Sequence, residues 1–127
     1  VADDDSHYFK RIGDPAAPTP GKGCICVRAA ELTPAAILNA LRKGDFYAST
    51  GVELADYQTT GKQVVVTVKE ERGSKYRIQF IGKAGRVLSE SAASPATYTI
   101  KGDEVYVRSK IYESNGKIAW TQPVMVK

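Results

Sequence analysis

An acidic stretch near the start of the chain holds the residues best suited to chemistry. It reads Asp-Asp-Asp-Ser-His over residues 3–7, and His7 is the single histidine among 127 residues. Asp5 and His7 are two positions apart, so in an extended segment both side chains leave the same side of the backbone. A carboxylate oxygen and an imidazole nitrogen together suit Zn²⁺, Mn²⁺ or Fe²⁺. The spacing therefore makes Asp5 and His7 a candidate pair of metal ligands.

Other interpretations of the possible metal-binding residues stay open. Two ligands are too few to hold an ion tightly, and a histidine beside acidic residues is also commonly a solvated side chain or a salt-bridge partner. Cys24 and Cys26 lie in Cys-Ile-Cys, where a disulfide would be strained and a tetrahedral zinc site would lack two ligands. We expect both cysteines to be small buried side chains.

The composition is that of an ordinary folded chain with one core. Hydrophobic residues make up 43% and charged residues 25%, and the formal net charge is +4. Because no run of five or six basic residues appears, we expect no nucleic-acid partner. No stretch approaches the roughly 18 apolar residues of a membrane span, so we expect no membrane partner. The compartment, cytoplasmic or exported, stays open.

The first third of the chain predicts a loop, a strand and a helix. Residues 14–22 contain three prolines, which indicates a loop. The apolar run 23–29 is typical of a strand buried on both sides. Thr33 as N-cap, Pro34 at the first helical position and Gly44 as C-cap predict a helix over residues 34–43.

The same helix has an apolar side. Ile37, Leu38 and Leu41 form a stripe at helical spacing. Leu32, just before the cap, is placed to close on Ile37 as a hydrophobic staple.

After Gly44 the apolar pattern changes from helical to alternating. Asn115-Gly116 is a strong hairpin signal, and strands recur about every 8 to 12 residues without helices between them, which is typical of an antiparallel sandwich or barrel. We predict a mainly β (α+β overall) protein with an immunoglobulin-like antiparallel β-sandwich. The predicted strands after the helix are 45–50, 52–59, 63–69, 76–81, 86–89, 97–101, 104–113, 117–120 and 124–127.

Four sequence features occur in an order that resembles a known family. They are Asp-Asp-Ser-His-Tyr at 4–8, Val-Arg-Ala at 27–29, Ala-Leu-Arg-Lys-Gly-Asp-Phe-Tyr-Ala-Ser-Thr-Gly at 40–51 and Ala-Trp-Thr-Gln-Pro at 119–123. This order resembles the C-terminal part of metal-dependent hydrolases of the PHP (polymerase and histidinol phosphatase) superfamily. The resemblance runs over nearly the whole chain, but its chemical part is confined to residues 3–7.

The resemblance implies a role for the acidic stretch. The family's enzymes are distorted β/α barrels that gather a metal cluster from several motifs, the last of which is Asp-x-His. Asp5 and His7 would be that last pair of ligands, with Asp4 as an alternative ligand. The family's earlier His-x-His, Glu and His motifs have no counterpart here, so we expect a piece of a longer protein whose catalytic barrel precedes it.

The resemblance also implies the activity of that longer protein. It would bind Zn, Mn or Fe and hydrolyse a phosphoester substrate, while the chain alone would hold no catalytic residues and no cofactor. Residues 1–51 would be the tail of the barrel, with a strand and a helix left over from it, and residues 52–127 the sandwich domain. Without the barrel, we expect residues 1–22 to be poorly ordered or merely draped on the domain. Ser49 and Thr50 would lie near the site, although strand-end hydroxyls more commonly bond to the backbone.

The β domain supports two further hypotheses. Tyr106, Arg108, Lys110 and Tyr112 alternate onto one face of the longest predicted strand, so the chain could instead be a stand-alone binding module for a polymer, sugar or protein partner. That face could equally be the solvated side of a sandwich whose core side carries Val105, Val107 and Ile111.

The other hypothesis is an accessory domain that packs on the barrel. In that arrangement Trp120, with Pro123 and Val124, would anchor the contact, although a lone tryptophan at a strand end is more often part of the core.

Overall fold

The computed structural model describes residues 1–11 and 13–126, and in that part of the chain ten strands and one α-helix form. Each of the ten predicted strands overlaps one of these strands, although Lys127, at the end of the last, lies outside the described residues. In chain order the elements are β1 (Cys24–Val27), α1 (Pro34–Lys43), β2 (Phe46–Ser49), β3 (Leu54–Thr59), β4 (Gln63–Val68), β5 (Tyr76–Ile81), β6 (Val87–Ser91), β7 (Ala96–Thr99), β8 (Tyr106–Glu113), β9 (Ile118–Thr121) and β10 (Val124–Met125).

Two antiparallel sheets make up the sandwich. The larger sheet has the order β1-β2-β9-β8-β5-β6, with β10 also paired to β8, and the smaller sheet has the order β3-β4-β7. The chain crosses between the sheets four times: from β2 to β3, from β4 to β5, from β6 to β7 and from β7 to β8. The prediction of a mainly β protein, an antiparallel sandwich with a single helix, is confirmed for the described residues.

The core lies between the two sheets and follows the period-two alternation of the strands. Val64 and Val66 of β4 face Ile78 and Phe80 of β5, and all four are 0–1% exposed. Burying such side chains contributes about 1.5 to 3 kcal/mol each relative to leaving them in water.

The first two strands belong to the larger sheet. β1 pairs with β2, and β2 pairs with β9 through Tyr47 and Thr121, all antiparallel. Strands joined by a helix in a β/α barrel are parallel, so β1, α1 and β2 do not form such a unit here. The segments on both sides of the predicted boundary at residue 51 share one sheet, while the barrel origin of residues 1–51 stays a prediction.

Strand β1 differs from the prediction for residues 23–29. We predicted a strand buried on both sides, and this is wrong because Cys24 is exposed and the other three residues of β1 are half-buried. Strand β1 pairs with β2 and forms an edge of the larger sheet in the described part of the chain. The expectation that both cysteines are buried is also wrong, since Cys24 is exposed and Cys26 is half-buried.

Helix α1 has the predicted bounds and caps. The Thr33 hydroxyl accepts a hydrogen bond from the Ala36 N–H at 3.3 Å, and Gly44 has the left-handed φ of 77° that a C-cap requires. The predicted hydrophobic staple between Leu32 and Ile37 is wrong, because Leu32 is 93% exposed to solvent. No helix among the described residues is long and apolar enough to cross a membrane.

A buried carboxylate stabilises the turn that leads into β8. Glu104 is 1% exposed and accepts hydrogen bonds from the Tyr98 hydroxyl and the Lys101 N–H, each at 2.7 Å, and from the Gly102 N–H at 2.8 Å. Burial by itself would raise the pKa of Glu104, but these donors outweigh it and lower that pKa to about 2. The ionised carboxylate therefore stabilises the fold.

We expect Glu104→Gln to lower the melting temperature at pH 7, because an amide offers one acceptor oxygen where three donors converge. The pKa of Glu104 in the folded protein lies below its ordinary value of 4.5. Its contribution to the free energy of unfolding is therefore complete above pH 4.5 and is lost as the pH falls from 4.5 to 2. Thermal melts should show the difference between wild type and Glu104→Gln shrinking over that window. Glu90→Gln, at an exposed position, is the control; a difference that stays constant down to pH 2 would contradict the assignment.

Candidate functional site

The N-terminal segment lies along the proline-rich loop. The N–H groups of His7 and Tyr8 both donate to the Pro18 carbonyl, at 2.9 and 3.2 Å. Ala17 and Thr19, on either side of that carbonyl, are each 3% exposed. These contacts join residues 7 and 8 to the loop, and the expectation that residues 1–22 are poorly ordered or merely draped on the domain stays a prediction.

Asp4 holds the segment to the end of that loop. One of its carboxylate oxygens accepts from the Gly21 N–H at 2.8 Å, and the other accepts from the Gly23 N–H. The Gly21 and Gly23 N–H groups lower the pKa of Asp4 below its ordinary range. Both Asp4 oxygens therefore accept main-chain hydrogen bonds, and the roles of Asp5 and Asp4 as metal ligands stay predictions.

Gly23 allows the segment to approach this closely. A Cβ added at Gly23 would lie 2.6 Å from the main-chain oxygen of Asp3, a distance that atoms do not tolerate. The sequence shows a glycine before β1, but the reason for it appears only when the two segments are placed together.

Asp5 and His7 are both exposed to solvent. Asp5 has a left-handed φ of 46°, so the premise that these residues lie on an extended segment is wrong. The His7 Nδ1 atom lies 2.6 Å from the Asp5 carbonyl oxygen. When Nδ1 carries the proton and donates to that carbonyl, the lone pair of Nε2 is left free, which is the arrangement common among metal-bound histidines.

The carboxylate of Asp5 is a second group that is free to bind a metal ion. Within residues 1–11 and 13–126 it accepts no hydrogen bond, whereas one Asp3 oxygen accepts from the Asp5 N–H at 2.9 Å. No group of three or more His, Cys, Asp or Glu side chains in the same part of the chain is placed to hold a metal ion. Asp5 and His7 therefore offer two donors, and further ligands would have to come from elsewhere.

The hydroxyls of Ser49 and Thr50 serve the backbone at the end of β2. Ser49 is buried and its hydroxyl donates to the Val52 carbonyl at 2.7 Å. The Thr50 hydroxyl accepts from the Ile118 N–H at 2.9 Å. These contacts match the backbone role expected for strand-end hydroxyls.

The second candidate surface is the outer face of β8. Arg108 is exposed, and Tyr106, Lys110 and Tyr112 are half-buried, while Val107 and Ile111 on the opposite side are fully buried. This alternation agrees with the sequence pattern. Val105 is an exception to it.

We predicted that Val105 faces the core, and this is wrong. It is 47% exposed and precedes β8 with a left-handed φ of 65°, which takes it out of the alternation.

Neighbouring strands add two residues that we did not predict to join this face. In the sheet register, Arg77 of β5 lies opposite Tyr112, and Trp120 of β9 lies opposite Lys110. The Arg77 guanidinium lies 4.4 Å from the centre of the Tyr112 ring, and the Lys110 ammonium lies 4.7 Å from it. We call Arg77, Arg108, Lys110, Tyr112 and Trp120 the cationic face.

Trp120 and its predicted companions have different environments. Trp120 is half-buried on the cationic face, with the Lys110 ammonium 5.8 Å from its ring, so it is not a core residue. Pro123 is exposed, and Val124 packs against the core. Trp120 therefore belongs to an outer surface, and Val124 contributes to the interior.

The charges of the cationic face have no carboxylate partners in the described part of the chain. The ion pairs there are Arg11–Asp14, Arg28–Asp56 and Lys69–Glu53, none of which involves this face. Glu90 lies across from Gln79 on the adjoining strand and accepts a hydrogen bond from that amide at 2.7 Å. The face therefore presents three positive charges without a direct ion pair among the described residues, and Glu90 lies two strands away from Lys110.

A cleft of about 1090 Å³ opens between β3 and the ends of α1 and β2. Two of its polar side chains have partners: the Arg28 guanidinium donates to the Tyr57 carbonyl at 2.7 Å, and the Tyr57 hydroxyl donates to the Gln122 carbonyl at 3.3 Å. We assign these groups a structural role in bridging the two sheets.

No family model, curated protein or solved structure matches this chain. The fold defines a β-sandwich protein. Its two candidate functional surfaces are residues 3–7, which we call the acidic segment, and the cationic face.

We expect Gly23→Ala to detach residues 3–8 from the loop, because the new Cβ would overlap the Asp3 carbonyl. Overpacking of this kind costs about 1 to 3 kcal/mol. Amide hydrogen exchange should become faster at His7 and Tyr8, whose N–H groups bond to Pro18. Gly61→Ala is the matched control, since a Cβ there meets open space. Unchanged exchange at His7 in Gly23→Ala would show that the contact does not hold the segment.

Proposed function

We propose that this chain is the C-terminal part of a metal-dependent phosphoesterase of the PHP type, with the sandwich as its accessory or structural module. The sequence resemblance supports the proposal over most of the chain. The observation that carries it is the geometry at His7: Nδ1 faces the Asp5 carbonyl at 2.6 Å, which leaves Nε2 and the Asp5 carboxylate as free donors on one short segment.

The donor set fits the proposed ion. An imidazole nitrogen and a carboxylate oxygen are ligands for zinc, manganese or iron. The preceding catalytic barrel of the same protein would supply the remaining ligands, as the family resemblance implies. A divalent ion bound there would supply Lewis-acid activation of water and of a phosphoester substrate.

Residues of this chain would position the two ligands. Asp4 fixes the segment to the Gly21 and Gly23 N–H groups, and the Asp5 carbonyl sets the orientation of the His7 ring. Because Gly23 directly precedes β1, the position of this segment depends on the larger sheet. This dependence is the structural contribution that we propose for the sandwich.

The whole protein provides the direct test. The coding sequence upstream of Val1 should contain the His-x-His, Glu and His motifs of the family, and the purified protein should contain Zn, Mn or Fe by elemental analysis. We expect Asp5→Asn and His7→Ala to lower metal content and to reduce phosphoester hydrolysis by more than about 100-fold, beyond the usual effect of outer-shell residues.

Asp3→Asn serves as the matched control, because the asparagine oxygen can still accept the bond from the Asp5 N–H while the negative charge is removed. Metal content and activity that are unchanged in both His7→Ala and Asp5→Asn would exclude this pair as ligands.

The isolated 127-residue chain should not hydrolyse phosphoesters when Mn²⁺ or Zn²⁺ is added. Two donors are fewer than the three protein ligands per ion that a hydrolytic site uses. A chromogenic phosphate monoester gives a sensitive assay. Turnover that disappears in His7→Ala would show that the chain carries a complete site and would contradict this prediction.

A binding module is the second candidate function. It is favoured by the positive charges of the cationic face, which form no ion pair in the described part of the chain. This function is compatible with the first, since the face lies on β5, β8 and β9 and uses none of the residues of the acidic segment.

A further inference from the structure

We propose that the cationic face binds an acidic polysaccharide. Arg77, Arg108 and Lys110 would pair with its carboxylates or sulfates, and Trp120 would contact the apolar face of a sugar ring. This inference stands on the outer surface of the larger sheet and does not depend on the proposed phosphoesterase.

Two of the three cations, Arg77 and Lys110, are held in place before any ligand arrives. The Tyr112 ring has the Arg77 guanidinium at 4.4 Å and the Lys110 ammonium at 4.7 Å, and the Lys110 ammonium also lies 5.8 Å from the Trp120 ring. Cation–π contacts of this kind order long side chains that are otherwise mobile. Binding a ligand therefore costs less side-chain entropy, because these side chains are already ordered.

The three cations have hydrogen-bond donors that no carboxylate of the described residues pairs with. No carboxylate of residues 1–11 or 13–126 forms an ion pair with Arg77, Arg108 or Lys110. A guanidinium presents a planar pair of donors that matches a carboxylate or a sulfate. Charge complementarity therefore favours an anionic ligand.

The dimensions of the face favour a short stretch of polysaccharide. Neighbouring strands lie about 5 Å apart and alternate residues along a strand about 7 Å apart, so the three cations span roughly two or three sugar units. Tight binding of nucleic acid usually neutralises more phosphates along a longer tract. A peptide of aspartate and glutamate alone would engage the three cations but would offer no apolar face to the Trp120 ring.

Trp120 makes the face directly observable. It is the only tryptophan in the chain, so its fluorescence reports on this surface alone. Titrating the 127-residue chain with oligomers of polygalacturonic acid should give a saturable change in that fluorescence. Dextran sulfate is a second probe that separates sulfate from carboxylate recognition, and neutral dextran should produce no change.

Variants test whether the named residues make the contact. We expect Arg77→Met and Lys110→Met, which keep an apolar stem beside Tyr112, each to weaken binding about tenfold through the loss of a charge-assisted contact. Arg72→Met removes the same charge from an exposed turn and should leave the affinity within about twofold.

Three results would overturn the proposal. The first is the absence of binding to both acidic polymers. The second is an equal loss of affinity in Arg72→Met and Lys110→Met, which would indicate non-specific attraction of a polyanion to the net charge. The third is tighter binding of a single-stranded oligothymidine with the same dependence on Arg77 and Lys110, which would make the face a nucleic-acid surface.

Discussion

The alternation of β8 is the constraint on which the rest of the sandwich depends. This strand pairs with β5, β9 and β10, so it lies in the middle of the larger sheet. Val107 and Ile111 on one side are fully buried, and Arg108, Lys110 and Tyr112 take the other side. A shift of one residue in register would put charged side chains into the core. The packing of the interior therefore also determines which side chains of β8 lie on the cationic face.

The acidic segment is positioned by a different kind of interaction. Main-chain N–H groups of Gly21 and Gly23 point at Asp4, and the absence of a side chain at Gly23 lets the Asp3 backbone lie against it. Hydrogen bonds to an ionised acceptor are stronger than neutral ones, which suits a segment that has little apolar surface to bury. The core positions one surface of this protein, and a few polar contacts position the other.

Local patterns in the sequence predicted the elements well and their assembly poorly. The caps at Thr33 and Gly44 gave the correct bounds of α1, since capping depends only on neighbouring residues. Pairing between β2 and β9 joins residues about seventy positions apart, and alternation carries no information about such a partner. For the same reason the outer face of β8 was predictable, whereas its extension by Arg77 and Trp120 was not.

The three consecutive aspartates differ in their hydrogen bonds in a way that the charge pattern does not predict. An oxygen of Asp3 accepts from the N–H of Asp5, and both oxygens of Asp4 accept from the following loop. Asp5 turns into the left-handed region, which brings its carbonyl to His7 Nδ1 and leaves its carboxylate unbonded among the described residues. Residues of one type thus have different functions because the backbone presents different donors to each. In the PHP-type function proposed above, Asp5 is the one aspartate whose carboxylate is left free for a metal ion.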